Sequence, residues 1–159
     1  MAKARPIPGF AESSSFREAA VRTVAVRADE VFEHAGSVLD TSDIERVHDM
    51  RVATRRLRAA LEIFAPCFPK AEHRKVLKEV KRLADALGER RDPDVAIAGF
   101  EKVRAALAPA ERAGVAGLID ELRARQAGGN ETLAAAIERT RAERLHERLT
   151  ALTAEAQPA

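Results

Sequence analysis

The chain of 159 residues has little of several residue types that carry function in other proteins. It contains no tryptophan, no tyrosine and a single cysteine, Cys67. One cysteine excludes an intrachain disulfide and any metal site built from several thiolates, and it is typical of a cytoplasmic protein. Without tryptophan and tyrosine the chain lacks the best stacking surfaces for unpaired bases, which argues against specific recognition of single-stranded nucleic acid.

Long hydrophobic runs and enzyme motifs are absent as well. No window approaches the length of a membrane-spanning helix, and residues 1–15 have too short an apolar run for a signal peptide. There is no P-loop, no glycine-rich dinucleotide turn and no H-E-x-x-H motif. No carboxylates are expected to cluster near the arginines as a magnesium or acid–base site. The sequence therefore predicts a soluble, cytoplasmic binding protein that is not an enzyme and uses no cofactor or metal.

The charge of the chain is unevenly distributed. The formal net charge is only +2, but residues 46–91 contain 13 Lys or Arg and 6 Asp or Glu. This segment therefore carries +7, which leaves −5 for the rest of the chain. Such asymmetry within one small domain points to an anionic partner on one face.

Abundant Ala, Leu, Arg and Glu favour helix over sheet, and the apolar periodicity predicts an all-α antiparallel bundle of about five helices. Gly88 suits a helix end, and Asp92 followed by Pro93 suits a helix start. The predicted helices cover residues 16–39, about 43–65, 70–87, about 93–107 and 110–152. We expect a disordered segment at 1–15, one domain at 16–153 and a disordered tail at 154–159.

The last predicted helix is long because its apolar phase runs straight through Gly128-Gly129 instead of restarting there. A turn at the two glycines is the alternative. At 1.5 Å per residue the helix would span roughly 60 Å, against roughly 36 Å for the first helix. Its C-terminal half is therefore expected to overhang the bundle and to need cover from a partner subunit.

The most informative segment runs from Val47 to Arg58 and packs a histidine and four arginines into one helix. At about 100° per residue, most of these cations fall on one stripe, formed by His48, Arg51, Arg55 and Arg58. The stripe borders the apolar seam instead of opposing it, as a purely solubilising face would. Because guanidinium groups bind phosphate in a bidentate manner and stay charged, the stripe points to an anionic ligand.

Ordinary structural roles compete with this interpretation. The arginines could form a solvated face with ion pairs within the helix, although only Glu62 is well placed for Arg58 and little is placed for Arg51. His48 could hold neighbouring helices together or contact a phosphate. Metal ligation by His48 is not expected, since no second ligand lies at convincing spacing.

Two motifs, in this order, resemble the CHAD domain, the conserved histidine α-helical domain. The first is His48-x-x-Arg51-Val52-x-x-Arg55-Arg56-Leu57-Arg58-x-x-Leu61-x-x-Phe64. The second is Leu83-x-x-x-Leu87-Gly88-x-x-Arg91-Asp92-x-Asp94-Val95. The resemblance implies an all-α fold that binds inorganic polyphosphate through a basic channel, with members associated with polyphosphate granules.

The resemblance departs from the family pattern in one respect. The usual CHAD domain is about twice as long and repeats the histidine–arginine helix in two pseudo-symmetric halves, whereas this motif occurs here once. We therefore expect two chains to pair as a homodimer that rebuilds both halves.

The resemblance implies a polyphosphate-binding module with a basic groove that is associated with polyphosphate granules. If the second and third helices are antiparallel neighbours, Lys78, Lys81 and Arg82 are expected to face the arginine stripe, with Arg90 or Arg91 at the channel mouth. The candidate binding residues are His48, Arg51, Arg55, Arg56, Arg58, Lys78, Lys81, Arg82, Arg90 and Arg91.

The alternative is a helical scaffold or adaptor that binds another polyanion: nucleic acid, nucleotide or an acidic protein. For the polyphosphate-binding module, nucleic acid is at most a weak competitor, and no membrane partner is expected.

Overall fold

A computed structural model describes residues 3–159, and this part of the chain contains five α-helices and no β-strand. The helices are α1 (Phe16–His34), α2 (Glu45–Ile63), α3 (Lys70–Ala106), α4 (Arg112–Ala142) and α5 (Leu145–Ala154). Short 3₁₀ turns at Ala65–Cys67 and Pro109–Glu111 join α2 to α3 and α3 to α4. The predicted all-α class with about five helices is confirmed. Among residues 3–159, no helix is both long and apolar enough to cross a membrane.

The start of α1 follows from its sequence, but its end does not. Ser15 and Glu18 form a capping box, in which the Glu18 backbone N–H donates to Ser15 Oγ at 3.2 Å and the Ser15 N–H donates to Glu18 Oε2 at 2.8 Å. The helix ends at His34, five residues before the predicted end at Leu39. The chain then runs through turns until α2 begins at Glu45.

Helix α3 is continuous where the sequence predicts two helices separated by Gly88 and Asp92, so that prediction is wrong. Pro93 lies inside the helix and is buried. Proline removes the N–H that would bond to the carbonyl of Glu89 and normally kinks or ends a helix. Here tertiary packing overrides that local preference, because α3 packs along α4 through this region and Arg90 forms a buried ion pair with Asp94.

The long C-terminal helix is confirmed for Arg112–Ala142, which passes through Gly128 and Gly129 without a break. The chain then turns at Arg144, whose backbone is left-handed with φ 51°. This turn folds α5 back onto α1 and α3, where Leu145, Leu149 and Leu152 join the core. The predicted overhang of the final helix is therefore wrong, since its apolar face is covered by its own chain.

A different part of the molecule extends beyond the core. After Asp94, α3 has no buried residue, and the first half of α4 contributes only Ile119 and Leu122. These two residues lie outside the main core cluster, which is formed by α1, α2, the first half of α3, the end of α4 and α5. The end of α3 and the start of α4 thus form a two-helix hairpin that leaves Val95, Val103 and Leu118 exposed.

Residues near both ends of the chain contact the bundle. The Arg5 backbone N–H donates to Glu30 Oε1 at 2.6 Å, and Arg27 Nη2 donates to the Arg5 carbonyl at 2.9 Å. Near the C-terminus, the Gln157 N–H donates to the Cys67 carbonyl at 2.8 Å. The division into a disordered segment, a domain and a disordered tail stays a prediction, and residues 1–2 lie outside the described part.

Alanine substitutions at the two adjacent glycines of α4 should have opposite effects on stability. A Cβ added at Gly129 would lie 3.2 Å from the Arg90 Cα and 3.2 Å from the Glu89 carbonyl oxygen, whereas one at Gly128 would meet nothing within 4 Å. Gly129→Ala should therefore lower the free energy of unfolding by about 1–3 kcal/mol. Gly128→Ala should raise it by about 0.5–1 kcal/mol, because alanine is the better helix former.

Urea unfolding of the two variants, followed by circular dichroism, measures both changes. Equal effects of the two substitutions would show that α3 and α4 do not approach closely at this point.

Candidate functional site

The arginines of α2 border its buried face, as their spacing predicts. The buried face comprises Val47, Met50, Ala53, Thr54, Leu57, Ala60 and Leu61. Beside it, Arg51 is half-buried, while Arg55 and Arg58 are exposed. These three arginines thus lie where α2 meets its neighbour α3, and not on the side of the helix that faces away from the bundle.

A groove of about 470 Å³ lies between α2 and α3. Arg51, Arg55 and Arg58 line it from α2, and we call these the arginine wall. Asp85, Glu89 and Asp92 line it from α3, and we call these the acidic wall. Between the walls lie Ala84 and Gly88, one helical turn apart, and a Cβ added at Gly88 would meet nothing within 4 Å. Small residues at these two positions keep the groove open.

The arginine wall is only partly neutralised by the protein. Arg58 Nε donates to Glu62 Oε1 at 3.1 Å, and Lys81 Nζ of α3 lies 3.3 Å from the same oxygen. The hydrogen bond from Arg58 and, less strongly, the one from Lys81 hold the pKa of Glu62 below its usual value. Within the described residues, Arg51 and Arg55 form no ion pair or side-chain hydrogen bond. Two guanidinium groups in the groove therefore remain free to bind an anion.

The basic residues of α3 do not face the arginine wall as predicted. The contact between Lys81 and Glu62 sets the register of the antiparallel pair, so residues further along α3 lie opposite residues earlier in α2. Asp85, Glu89 and Asp92 consequently occupy the positions expected for Lys78, Lys81 and Arg82. Only Lys81 approaches the groove, through Glu62. Sequence reasoning missed the acidic wall because the register depends on packing between the helices.

Lys78 and Arg82 lie elsewhere on α3. Lys78 is exposed and does not line the groove. Arg82 Nη1 donates to Glu79 Oε1 at 2.8 Å, and Glu79 also accepts a hydrogen bond of 2.9 Å from Arg139 Nε of α4. The bond from Arg139 is the main cause that lowers the pKa of Glu79. Arg82 thus belongs to an ion-pair network between α3 and α4.

The predicted placement of Arg90 at the groove is wrong, because its side chain is fully buried. Arg90 forms an ion pair with Asp94, and its Nε donates to Asn130 Oδ1 of α4 at 3.2 Å. Gln126 Nε2 donates to Asp94 Oδ1 at 2.6 Å. These four side chains, Arg90, Asp94, Gln126 and Asn130, form a polar cluster between α3 and α4. The cluster could have been suspected from the i, i+4 spacing of polar residues on both helices.

Arg91 and Arg56 also lie outside the groove lining. Arg91 Nη1 donates to the Ile44 carbonyl at 2.9 Å, and Nη2 donates to Glu45 Oε1 at 3.3 Å. Arg91 thereby ties α3 to the start of α2. Arg56 is half-buried and engaged in a contact within the protein.

His48 does not line the groove either, but it lies in a cluster that the sequence did not predict. Among the described residues, potential ligand atoms of Glu45, His48 and Asp49 lie within 4.8 Å of one another. The expectation that no acid lies near His48 at ligand spacing is therefore wrong. Glu45 also pairs with Arg91, which competes with any cation for its carboxylate.

Comparison with protein families assigns the chain. The model of the CHAD domain matches residues 22–159, which include most of α1 and all of α2 to α5. The chain belongs to the CHAD domain family. No curated protein and no solved structure matches it. The match to the CHAD domain includes both walls of the groove and the buried polar cluster.

Breaking the buried ion pair between Arg90 and Asp94 should destabilise the CHAD domain strongly. Arg90→Met leaves the Asp94 carboxylate buried without its cation and should lower the free energy of unfolding by about 3–5 kcal/mol. Arg90→Met combined with Asp94→Leu removes both charges and should recover much of that loss. Arg123→Met, which removes an exposed arginine with surface ion pairs, should cost about 0–1 kcal/mol.

Thermal and urea unfolding of the three variants give these values. A double variant as unstable as the single variant would contradict the assignment of the loss to an uncompensated buried charge.

Proposed function

We propose that this CHAD domain binds inorganic polyphosphate in the groove between α2 and α3, as a binding module without catalytic turnover. The observation that carries the proposal is the arginine wall, in which Arg51 and Arg55 line the groove without an ion pair in the described part of the chain. In the cell, such a module would associate with polyphosphate granules. CHAD domains are known in the context of polyphosphate binding, which supports this ligand.

The geometry of the arginine wall suits an extended anion. Arg51, Arg55 and Arg58 lie along two turns of one helix, so their backbone positions span about 10 Å. A single phosphate would engage one or two of these groups, whereas a chain of phosphates can engage all three. Each guanidinium makes charge-assisted, bidentate hydrogen bonds, and the bound chain releases its condensed counterions.

Binding without turnover is part of the proposal. The acidic wall does bring carboxylates to the side of the groove opposite the arginines. However, the only converging group of metal-ligand atoms within residues 3–159 is that of Glu45, His48 and Asp49, outside the groove lining. The arrangement of the acidic wall thus supports binding better than metal-assisted hydrolysis.

Pairing of two chains is the remaining element of the proposal. Its support is the single copy of the histidine–arginine helix, which corresponds to one half of the usual domain. The second support, an uncovered final helix, is lost because α5 packs against α1 and α3. The homodimer therefore stays a prediction from the sequence.

Replacing the arginine wall should weaken polyphosphate binding strongly without unfolding the protein. The test variant carries Arg51→Ala, Arg55→Ala and Arg58→Ala. The association constant K falls as salt concentration rises, and the magnitude of the slope of log K against log salt concentration should be smaller by about three in this variant, one for each lost phosphate contact. Titration of long-chain polyphosphate at several salt concentrations measures the slope, and far-UV circular dichroism measures helicity.

The matched control removes three exposed helical arginines that do not line the groove: Arg17, Arg74 and Arg125. Because both triple variants change the net charge equally, the control should retain polyphosphate binding. Equal losses in the two variants would contradict the groove as the binding site.

Competition at equal phosphate concentration decides the ligand, since duplex DNA or ATP that displaces polyphosphate would favour the alternative function.

Filling the groove should weaken binding without changing any charge. Gly88 lines the groove and has open space around it, so the side chain of Gly88→Leu should occupy part of the groove. We expect polyphosphate to bind at least about tenfold more weakly, which corresponds to about 1.4 kcal/mol. Isothermal titration calorimetry measures the affinity.

Gly88→Ala is the control for this substitution. It adds only one methyl group and should leave the affinity within about twofold, while it stabilises the helix by about 0.5–1 kcal/mol. Wild-type affinity in Gly88→Leu would place the ligand outside the groove.

A further inference from the structure

The acidic wall is an unexpected part of an anion-binding groove. Asp85, Glu89 and Asp92 follow one another at i, i+4 and i+7 on α3, and all three are exposed. They line the same cavity as the arginine wall. A site optimised only for affinity toward anions would carry neutral or basic groups at these positions, because each carboxylate repels the ligand.

The two walls do not neutralise each other. At the end of the groove, Lys81 and Glu62 do form an ion pair between α3 and α2, with an N–O distance of 3.3 Å. Within the described residues, no ion pair of 4.0 Å or less joins the acidic wall to the arginine wall. Opposite charges thus face each other across an open groove, and a ligand between them is attracted by one wall and repelled by the other.

This arrangement discriminates between anions by width. A single chain of phosphates can lie against the arginine wall and keep its distance from the carboxylates. A nucleic-acid duplex, whose major groove alone is about 12 Å wide, is broader than the about 8–10 Å between the axes of two packed helices. Such a duplex must lie across both walls, so its phosphates come close to the carboxylates as well as to the arginines.

We infer that Asp85, Glu89 and Asp92 determine the specificity of the groove, by excluding broad polyanions while the arginine wall accepts a single-file chain of phosphates. The inference rests on the proposed function and deepens it. Specificity is a difference between two affinities, and a repulsive group increases it when the unwanted ligand meets that group more closely than the preferred one. The acidic wall therefore reduces affinity for polyphosphate slightly and affinity for duplex nucleic acid strongly.

The test compares two triple variants of the full chain with equal charge changes. The first is Asp85→Asn, Glu89→Gln, Asp92→Asn. The control is Glu121→Gln, Glu131→Gln, Glu155→Gln, which neutralises three exposed carboxylates outside the groove lining. Fluorescence anisotropy gives the Kd of long-chain polyphosphate and of a 20-base-pair DNA duplex at the same salt concentration, and the ratio of the two is the specificity.

Neutralising the acidic wall should tighten polyphosphate binding by about threefold and DNA binding by about thirtyfold or more, so the specificity should fall by about tenfold. The control should keep the wild-type specificity within about twofold, because a change in net charge alone acts on both ligands. Circular dichroism and thermal unfolding verify the fold. If the triple variant does not fold, Asp92→Asn alone should still lower the specificity, by about twofold.

Several outcomes would overturn the inference. One is an unchanged specificity in the acidic-wall variant, and another is an equal change in the control. A third is weaker polyphosphate binding by the acidic-wall variant in the presence of Mg²⁺, which would show that the carboxylates hold a bridging cation. If the wild-type protein binds no polyphosphate at all, the proposed function itself fails and the inference fails with it.

Discussion

The continuity of α3 through Pro93 is the constraint on which the rest of the structure depends. This one helix contributes to the core, carries the acidic wall and extends into the hairpin with α4. Proline would normally interrupt it, since the carbonyl of Glu89 loses its helical donor. Close packing of α4 at Gly129 and the buried pair of Arg90 and Asp94 hold the two helices together across that point.

The buried polar cluster links this constraint to the groove. Asp92 and Arg90 are separated by one residue, yet one lines the groove and the other is buried against α4. The burial of Arg90 orients α3 about its own axis, because an ion pair out of contact with water tolerates few geometries. Once that orientation is set, Asp85, Glu89 and Asp92 necessarily face α2. The composition of the groove therefore follows from contacts made on the opposite side of the helix.

The dependence of the groove on contacts across α3 explains which parts of the site could be predicted from the sequence. The spacing of Arg51, Arg55 and Arg58 predicted their common position beside the apolar seam, and the structure places them there. Periodicity within one helix is a local property, so it survives folding. The facing residues were predicted wrongly because they depend on the register between α2 and α3. Arg90 was misplaced for a related reason, since charge alone does not reveal that Asp94, Gln126 and Asn130 surround a side chain.

The sequence by itself determined the helical class, the start of α1, the unbroken passage of α4 through its two glycines and the membership in the CHAD family. These features depend on residues that are close together in the chain or on motifs that can be read directly. Only the tertiary structure decided that α3 continues past Pro93, that α5 folds back at Arg144 and that carboxylates face the arginines. Each of these outcomes depends on contacts between residues far apart in the sequence, whose free energies outweigh local preference.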